Sequence, residues 1–357
     1  MPIPAPSPPG RKVLLVGNLF GRELGNVFYM FMQMLMHGFI RLGCNVHVFN
    51  DREVARGSTP LLSTSTGRAA ANRKLLKTSD NFRPDLAALG HCELTENATL
   101  ETLRSRHPGL RLAYRNVDTL TDAKNRARLQ RRAACVDAVF ATTGAAIPGV
   151  PARSRAPVYF MPNPVDPAID TGRGFARSDQ AHDLFFAVGT GNSADPRLRL
   201  PQAAAQRLPE LRGDFRGVAG KPALRGAAFI DALCDARMGR SISRPDDVYL
   251  YASDRMSQLL GNGLLTFVSR ATGFQDLFGE DQIAFYDDLD ELVDKLGYFA
   301  RHDDARRNAA EAGWQAAHAM FASHRVAKYI LERSFDLPLT ETYPWPTARE
   351  TSVPRDH

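Results

Sequence analysis

The sequence predicts an α/β protein of two domains, each built on a doubly wound parallel sheet. Short apolar runs typical of buried strands alternate with helical segments from Arg11 onward, which is the order of a parallel sheet with crossover helices. A chain of 357 residues, 44% of them hydrophobic, is long enough to bury two cores. Ligands of such sheets bind at the carboxyl ends of the strands, so the strand ends are the places to look for functional residues.

The charge balance and the cysteine spacing limit the partners, the metal or disulfide sites and the compartment that can be expected. The chain has 45 basic and 39 acidic residues, a net charge of +6, which suits nucleic acid, a membrane surface or anionic substrates. The densest basic cluster, residues 125–132, has no interleaved aromatic residues for base stacking, so no nucleic-acid partner is expected. Four dispersed cysteines without a Cys-x-x-Cys pair predict neither a zinc site nor a disulfide framework, and they favour a reducing cytoplasm.

The N-terminal segments give no sign of a targeting or membrane-spanning helix. Residues 1–10 are too rich in proline for the apolar helix of a signal peptide and are predicted to be a disordered lead-in. The longest apolar stretch, residues 27–36, is interrupted by Gln33 and is too short to cross a bilayer. It is predicted to be a buried helix.

A loop punctuated by glycines follows the first predicted strand, residues 12–17. The loop contains Asn18, Gly21 and Gly25, but its glycines lack the spacing of a dinucleotide-binding fingerprint. The spacing alone therefore gives little support to a phosphate site, and a plain tight turn is the alternative.

Two further predicted strands end in polar side chains. Residues 84–93 deliver His91 and Glu93 to the carboxyl edge of the sheet, where a histidine can act as a general base or donate to a developing charge. The alternative is that His91 is a hydrogen-bonded structural residue. Residues 110–118 repeat this geometry with Asp118, whose alternative role is to cap the following helix.

The C-terminal third predicts an anion-binding helix N-terminus. Ser253 or Asp254 caps a short helix, and a buried strand follows at residues 264–269. The exposed backbone donors and partial positive charge of a helix N-terminus attract an anion, and Arg255 adds a full positive charge. Gln258, one turn further on, presents an amide to a hydroxyl group.

The segment from Tyr249 to about Glu332 resembles the C-terminal, donor-binding half of group-1 glycosyltransferases, which are two-domain enzymes of the GT-B type that transfer a sugar from a nucleotide donor. The family has a Ser-Asp/Asn-Arg-x-x-Glu-x-x-x-x-Gly helix, an apolar strand, a Gly-x-x-Glu-Leu-Phe turn, and an acidic turn before paired helices. The matching positions here are Ser253, Asp254, Arg255, Gly263 and residues 273–278, 286–288 and 311–313. One departure is Gln258, where the family commonly has a glutamate that contacts the donor ribose.

The resemblance implies a GT-B fold in which two Rossmann-like domains face a central cleft. Residues 11–170 are then the N-terminal, acceptor-side domain, and residues 171–335 are the donor-binding domain. Residues 162–166 look like the crossover between the domains of this family, and residues 336–357 are left as a C-terminal tail.

The resemblance also assigns candidate site residues. Asp118 is the preferred catalytic carboxylate, because many relatives have an aspartate after this strand, and His91 and Glu93 are the other catalytic candidates. In the first loop, the backbone would approach the acceptor or the reacting sugar at Gly17, Asn18 and Gly21. The candidates for donor binding are Gly189, Gly191, Asn192, Lys221, Ser253, Arg255 and Gln258.

The implied activity is transfer of a sugar from a nucleotide-sugar co-substrate to a glycan, lipid-linked or protein hydroxyl, in the synthesis of a cell-surface polysaccharide, lipopolysaccharide or other glycoconjugate. No tightly bound cofactor and no metal ion are expected, and the adjacent aspartates at 246–247 and 287–288 are interpreted as caps or solvated charges. The basic surface is compatible with peripheral contact to an anionic membrane from the cytoplasmic side. Two alternatives remain: a nucleotide-sugar epimerase or hydrolase of the same fold, and a catalytically silent relative that binds a partner.

Overall fold

The computed structural model describes residues 10–19, 24–144, 156–188, 199–218, 221–243 and 246–348. Of these, the residues within Met1–Gly25, Met30–Pro164 and Ser323–His357 form one compact unit, called the first unit. Those within Asn26–Tyr29 and Val165–Ala322 form the second unit. Apart from Gly10, the predicted lead-in lies outside the described residues.

A parallel sheet forms the centre of the first unit. Its strands are β1 (Lys12–Val16), β2 (Asn45–Phe49), β3 (Leu86–Leu89), β4 (Arg111–Asn116), β5 (Ala138–Ala141) and β6 (Val158–Phe160). They lie in the order β2-β1-β3-β4-β5-β6, and every neighbouring pair is parallel. Strands β3 and β5 are buried at every position, as in a parallel sheet that is covered on both faces.

Helices from both ends of the chain pack in the first unit. They are α1 (Phe31–Arg41), α2 (Asp51–Arg56), α3 (Thr64–Phe82), α4 (Asn97–Arg106), α5 (Ala123–Ala133) and, numbered by its place in the chain, α11 (Ser323–Ser334). Helices α1 and α11 approach so closely that a Cβ atom on Gly38 would lie 2.2 Å from the Ser323 carbonyl oxygen. The Arg41 guanidinium donates a hydrogen bond of 2.7 Å to the Ser323 hydroxyl, so α11 is held against α1.

The second unit repeats this architecture. Its strands are β7 (His182–Ala187), β8 (Gly213–Arg216), β9 (Ala236–Arg240), β10 (Leu265–Ser269) and β11 (Ala284–Tyr286), and its helices are α6 (Arg199–Arg207), α7 (Ala227–Cys234), α8 (Asp254–Gly261), α9 (Leu289–Arg301) and α10 (Asp303–Met320). The strand order is β11-β10-β9-β7-β8, and every neighbouring pair is parallel. Strand β9 is therefore the middle strand.

Helix α8 packs directly on β9. A Cβ atom on Gly239 would lie 2.3 Å from Leu259 Cδ2, so a larger residue at this position would push the helix away from the sheet. The chain leaves α8 through Gly263, which has a φ of +76°, and enters the buried strand β10. This packing brings the start of α8 to the segment that follows β9.

The structure divides the chain at other residues than the expected 170/171 and 335/336. The first unit ends at Pro164, because Val165 already pairs with the end of the second unit and donates a backbone hydrogen bond of 2.8 Å to the Phe321 carbonyl. The chain returns to the first unit at Ser323, where α11 meets α1. Helix α11 thus belongs to the first unit, although it was expected in the donor domain.

The described part of the C-terminal tail packs in the first unit. Tyr343 is 5% exposed and Trp345 is 2% exposed, and both rings contact the ring of the buried Tyr329 on α11. Glu332 accepts hydrogen bonds from the Tyr343 hydroxyl at 2.7 Å and from the Thr340 hydroxyl at 2.6 Å. Residues up to 348 are therefore part of the folded unit.

One other expectation differs from the structure, since residues 27–36 were expected to be a buried helix. Helix α1 begins at Phe31, after Asn26–Tyr29 have joined the second unit, where Tyr29 stacks on Phe229 at 4.8 Å. The Asn50 side chain caps α2, and α3 begins at Thr64. None of the helices within the described ranges combines the length and apolar character needed to cross a bilayer.

Candidate functional site

The start of α8 is built around Ser253, as the sequence predicts. Ser253 is the N-cap residue with φ −74° and ψ 166°, but its hydroxyl accepts no capping hydrogen bond from the first turn. Its backbone N–H donates instead to the Ser243 hydroxyl at 3.1 Å. The amides of the first turn are therefore not satisfied by the cap side chain, which is the condition for anion binding at a helix N-terminus.

Arg255 ties this helix start to the segment after β9. Its Nη1 donates to the Ile242 carbonyl at 2.6 Å and approaches the Ser253 hydroxyl at 3.4 Å. The side chain remains partly exposed. A positive charge that is held by the backbone and still reached by solvent suits a phosphate oxygen.

Gln258 lies deeper in the same helix and is 8% exposed. Its backbone carbonyl oxygen accepts a hydrogen bond of 2.8 Å from the Asn262 side chain. The Asn262 side chain also donates to the buried Asp170 at 3.2 Å. The Gln258 side chain carries no charge, so its burial avoids the desolvation cost that a carboxylate would meet there.

A buried arginine at the end of β9 is a feature that the sequence interpretation missed. Arg240 is 8% exposed, and its Nε donates to the Tyr286 hydroxyl at 2.9 Å. The Tyr286 hydroxyl in turn lies 3.3 Å from Asp246 Oδ2. Burial raises the pKa of Tyr286 to about 12, so the phenol stays protonated and donates. No sequence signal marks Arg240, because the strand that carries it is not a continuous apolar run.

Of the other residues predicted to bind the sugar donor, the structure describes only Lys221. Gly189, Gly191 and Asn192 lie outside the described residues. Lys221 is exposed in the turn after β8, where its backbone N–H donates to the Val218 carbonyl at 2.9 Å. Because β8 and β9 are parallel members of one sheet, Lys221 lies at the same carboxyl edge as the start of α8.

In the first unit, His91 and Glu93 lie together in the loop after β3. His91 Nδ1 is 3.3 Å from Glu93 Oε1, and the other carboxylate oxygen, Oε2, accepts from Arg52 Nη2 at 2.7 Å. Burial raises the pKa of Glu93, but the hydrogen bonds from His91 and Arg52 outweigh it and hold the pKa well below its usual value. Glu93 is therefore a fixed anion and a poor proton acceptor at neutral pH.

The backbone of this loop is anchored independently of Glu93. The Leu94 N–H donates to Asp51 Oδ2 at 3.2 Å, and the Leu94 carbonyl accepts from the Asn72 side chain at 2.9 Å. Arg132 donates to the carbonyls of Cys92 and Thr95 at 3.3 and 3.0 Å. Burial of Asp51 raises its pKa to about 6, and the backbone N–H of Leu94 opposes the shift.

The start of the glycine loop lies beside His91. A Cβ atom on Gly17 would be 3.5 Å from the His91 backbone nitrogen, and the Gly17 N–H donates to the Phe49 carbonyl at 3.1 Å. Asn18 is 7% exposed. The third residue of this group, Gly21, lies outside the described residues. The structure thus brings Gly17 and His91 together at the carboxyl edge of the first sheet.

Asp118 follows β4 and forms an ion pair with Arg128 on α5. The cap of α5 is Asp122, which accepts from the N–H groups of Lys124 and Asn125, so Asp118 is not the helix cap. No hydrogen bond or ion pair joins Asp118 to His91 or Glu93 in the described part of the chain.

Of the adjacent aspartates that were interpreted as caps or solvated charges, Asp288 is a helix cap and Asp246 is partly buried. Asp288 is the N-cap of α9 and accepts from the Glu291 N–H at 2.9 Å, and Glu291 accepts from the Asp287 N–H at 2.7 Å. Asp246 is partly buried, and this burial raises its pKa. Within the described ranges, no three histidine, cysteine, aspartate or glutamate side chains are grouped so that they could hold a metal ion.

Comparisons with known proteins bear on both units. A family model described as "Glycosyl transferase-like" matches residues 197–332. Sucrose-phosphate synthase from Thermosynechococcus elongatus is 10% identical, with a TM-score of 0.59 over 91% of this chain and 98% of that one. HepE from Anabaena in complex with UDP and glucose is 13% identical, with a TM-score of 0.57 over 92% of this chain and 100% of that one.

A third structure is AviGT4, a glycosyltransferase involved in avilamycin A biosynthesis. It is 17% identical, with a TM-score of 0.53 over 91% of this chain and 97% of that one. At these identities the likeness concerns the fold, and it extends over nearly the whole of each chain. No curated protein sequence matches this chain. Residues 197–332 thus match a glycosyltransferase-like family model, and the whole chain has the GT-B fold.

Proposed function

We propose that the second unit binds the nucleotide-sugar donor at the start of α8 and that the first unit binds the hydroxyl acceptor beside His91. The observation that carries this proposal is the position of Ser253 and Arg255. Both lie within the segment that matches the family model, at the carboxyl edge of the second sheet, where the first-turn amides and a guanidinium meet. This arrangement suits a diphosphate.

Arg255 and the α8 amides stabilise the leaving nucleoside diphosphate. Negative charge accumulates on its terminal phosphate as the glycosidic bond breaks, and preorganised donors at that position lower the barrier. Lys221 and the loop that contains Gly189, Gly191 and Asn192 supply further donors. The reaction then needs no metal ion, and turnover that is unchanged by EDTA is the expected result; a loss of activity that Mg²⁺ restores would contradict it.

For the acceptor, the geometry favours His91 over the two carboxylates as proton acceptor. Glu93 is paired on both oxygens and has a lowered pKa, and Asp118 is engaged by Arg128. If transfer inverts the anomeric configuration, His91→Ala should reduce turnover by about 10²- to 10⁴-fold, whereas Asp118→Asn should have the larger effect if Asp118 is the base. Gly17 and Asn18 bring backbone close to the acceptor or the reacting sugar.

The donor to test first is a UDP-sugar. HepE has been solved with UDP and with UDP-glucose, and it shares this fold over nearly its whole length. We infer a cytoplasmic enzyme that acts in the synthesis of a cell-surface polysaccharide, lipopolysaccharide or other glycoconjugate.

Peripheral contact with an anionic membrane is part of this proposal. Leu61 and Leu62 are 78% and 52% exposed in the loop before α3, and Arg73 and Lys77 are exposed on α3 itself. Exposed apolar and basic side chains on one segment of the chain suit the surface of an anionic bilayer. The wild type should sediment with phosphatidylglycerol vesicles more than a Leu61→Ser/Leu62→Ser variant does, and equal sedimentation would contradict the contact.

Calorimetry with UDP, GDP, ADP, TDP and CMP tests the donor site. Selective binding that is lost in Arg255→Ala, and retained in Arg301→Ala, places the donor at α8; Arg301 is an exposed arginine of the same unit and serves as the matched control. The preferred nucleotide then names the sugar donors to test for transfer. Turnover without an acceptor would indicate an epimerase or hydrolase, and a folded protein that binds no nucleotide would indicate a silent relative.

A further inference from the structure

Three polar side chains form a row at the carboxyl edge of the first sheet: Arg52 on α2, and Glu93 and His91 in the loop after β3. Glu93 takes one partner on each oxygen, with Arg52 Nη2 at 2.7 Å from Oε2 and His91 Nδ1 at 3.3 Å from Oε1. Arg52 and Glu93 are 41 residues apart in sequence, so the row exists only in the fold. Each of the three side chains is about one third exposed.

We propose that Arg52 is a positioning residue that acts through Glu93 to hold His91 with Nδ1 protonated and Nε2 free for the acceptor hydroxyl. A carboxylate accepts hydrogen bonds and donates none, so the ring nitrogen that faces it must carry the proton. The neutral imidazole then has its lone pair on Nε2, which is the nitrogen able to accept a proton.

This inference rests on the proposed function for its chemical step. As the acceptor oxygen forms its bond to the anomeric carbon, the bond between that carbon and the phosphate oxygen breaks, and both electrons of that bond leave with the nucleoside diphosphate. The acceptor proton passes to His91 Nε2. The imidazolium that results lies against the Glu93 carboxylate, which stabilises its charge, and it later returns the proton to solvent.

The Arg52 side chain takes no part in the hydrogen bonds described above that hold the loop backbone. The backbone of residues 92–95 is held by Asp51, Asn72 and Arg132, none of which depends on Arg52 for its hydrogen bonds to the loop. Removing the Arg52 guanidinium therefore leaves the loop in place and releases only one oxygen of Glu93. An ion pair this exposed contributes little to stability, so the variant should fold.

The two variants should change the tautomer of His91 to different extents. Glu93 faces the ring directly, and Arg52 lies behind Glu93. Glu93→Gln replaces the carboxylate by an amide that can also donate, so Nδ1 need no longer carry the proton. Arg52→Gln leaves the carboxylate in place and frees one of its oxygens, so it should reduce the Nδ1–H population less than Glu93→Gln does.

The helix that carries Arg52 also supplies a matched control. Arg56 lies one turn further along α2, pairs with Glu53 at 3.2 Å, and is exposed to nearly the same extent. Arg56→Gln therefore removes the same charge from the same helix without touching Glu93.

The experiment is a histidine ¹⁵N NMR titration of the full chain, combined with kcat and KM across pH, for the wild type, Arg52→Gln, Arg52→Lys, Glu93→Gln and Arg56→Gln. The wild type should show the Nδ1–H tautomer at His91. Arg52→Gln should lower kcat about tenfold, the effect of one hydrogen bond, with unchanged donor KM, and Arg52→Lys should recover part of the loss. Arg56→Gln should match the wild type.

The NMR readout keeps this inference separate from the proposed function. An Nε2–H tautomer in the wild type, or equal tautomer populations of His91 in Arg52→Gln and Arg56→Gln, overturns the inference even if the enzyme transfers sugar. The expected tautomer in the wild type and its graded loss in Arg52→Gln and Glu93→Gln, in a protein that binds nucleotide but transfers nothing, support the positioning and overturn the proposed reaction.

Discussion

The Arg255 guanidinium donates a hydrogen bond of 2.6 Å to the Ile242 carbonyl, and this contact joins the start of α8 to the segment that follows the middle strand of the second sheet. The residue whose charge is proposed to bind a phosphate thus also holds the helix whose amides are proposed to bind the same phosphate. Loss of Arg255 should therefore affect both ligand binding and the order of the site.

Arg255→Ala should weaken nucleotide binding and lower the free energy of unfolding by about 1 kcal/mol, because it removes a charged donor and one hydrogen bond to the backbone. Arg255→Lys should recover part of the binding, since the charge remains. Calorimetry and urea unfolding measure the two effects. An alanine variant with unchanged nucleotide affinity would remove Arg255 from the donor site.

Gln258→Glu should destabilise the protein as the pH rises. The position is 8% exposed, so burial would raise the pKa of the new carboxyl, and the folded state would hold its proton more tightly than the unfolded state does. The sign follows from linkage: stability falls with pH above about 4.3, the value of the unfolded chain. Urea unfolding at pH 5 and pH 8 should show a loss of about 1–3 kcal/mol for the variant at the higher pH, and an equal result at both would contradict it.

Asp170 predicts a pH dependence of the wild type itself. Its carboxyl is 2% exposed and accepts from the Asp166 N–H at 2.9 Å, and burial, with the nearby Asp166 charge, raises its pKa to about 8. Between about pH 4 and pH 8 the folded state binds a proton that the unfolded state has released, so stability should fall as pH rises through this window. The slope is at most about 1.4 kcal/mol per pH unit.

Asp170→Asn should remove this slope, because the amide resembles the protonated carboxyl and does not titrate. The free energy of unfolding of Asp170→Asn, relative to that of the wild type, should increase from pH 5 to pH 8. Asp281→Asn, at an exposed position of the same unit, should leave the slope unchanged. Parallel stability curves for wild type and Asp170→Asn would show that Asp170 is not the titrating group.

Trp345→Ala should destabilise the first unit by about 3–5 kcal/mol, because it empties a site in which the indole is 2% exposed against Tyr329 and Tyr343. Tyr298→Ala, at a ring that is 45% exposed, is the control and should cost far less. Chemical unfolding measures both. If the two variants lost equal stability, the tail would not be part of the core.

Local patterns were sufficient to predict β1, β3, β4, β10 and the start of α8, because buried apolar runs and helix caps are encoded by neighbouring residues. Strand β9 was missed because Arg237 and Arg240 interrupt its apolar character, and its only glycine, Gly239, serves the packing of Leu259. The pairing of Glu93 with Arg52 was not predictable either, since it depends on the packing of α2 beside the loop after β3.

The unit boundaries were missed for a similar reason. The Arg41 contact to Ser323 joins residues 282 positions apart, and no local signal announces such a partner. The prolines near residue 164 mark the first crossing, but nothing in the sequence of α11 indicates that it returns to the first unit. For the candidate site, the sequence could name His91, Glu93 and Arg255 by their places at strand and helix ends, while their partners required the fold.

The return of α11 to α1 has a consequence for synthesis on the ribosome. All six strands of the first sheet are translated by Phe160, but the helix that covers α1 begins at Ser323. At about 5–20 residues per second, the nascent first unit waits roughly 10–30 s with α1 lacking that neighbour. During this interval the nascent chain presents an apolar helix face that a ribosome-associated chaperone can shield.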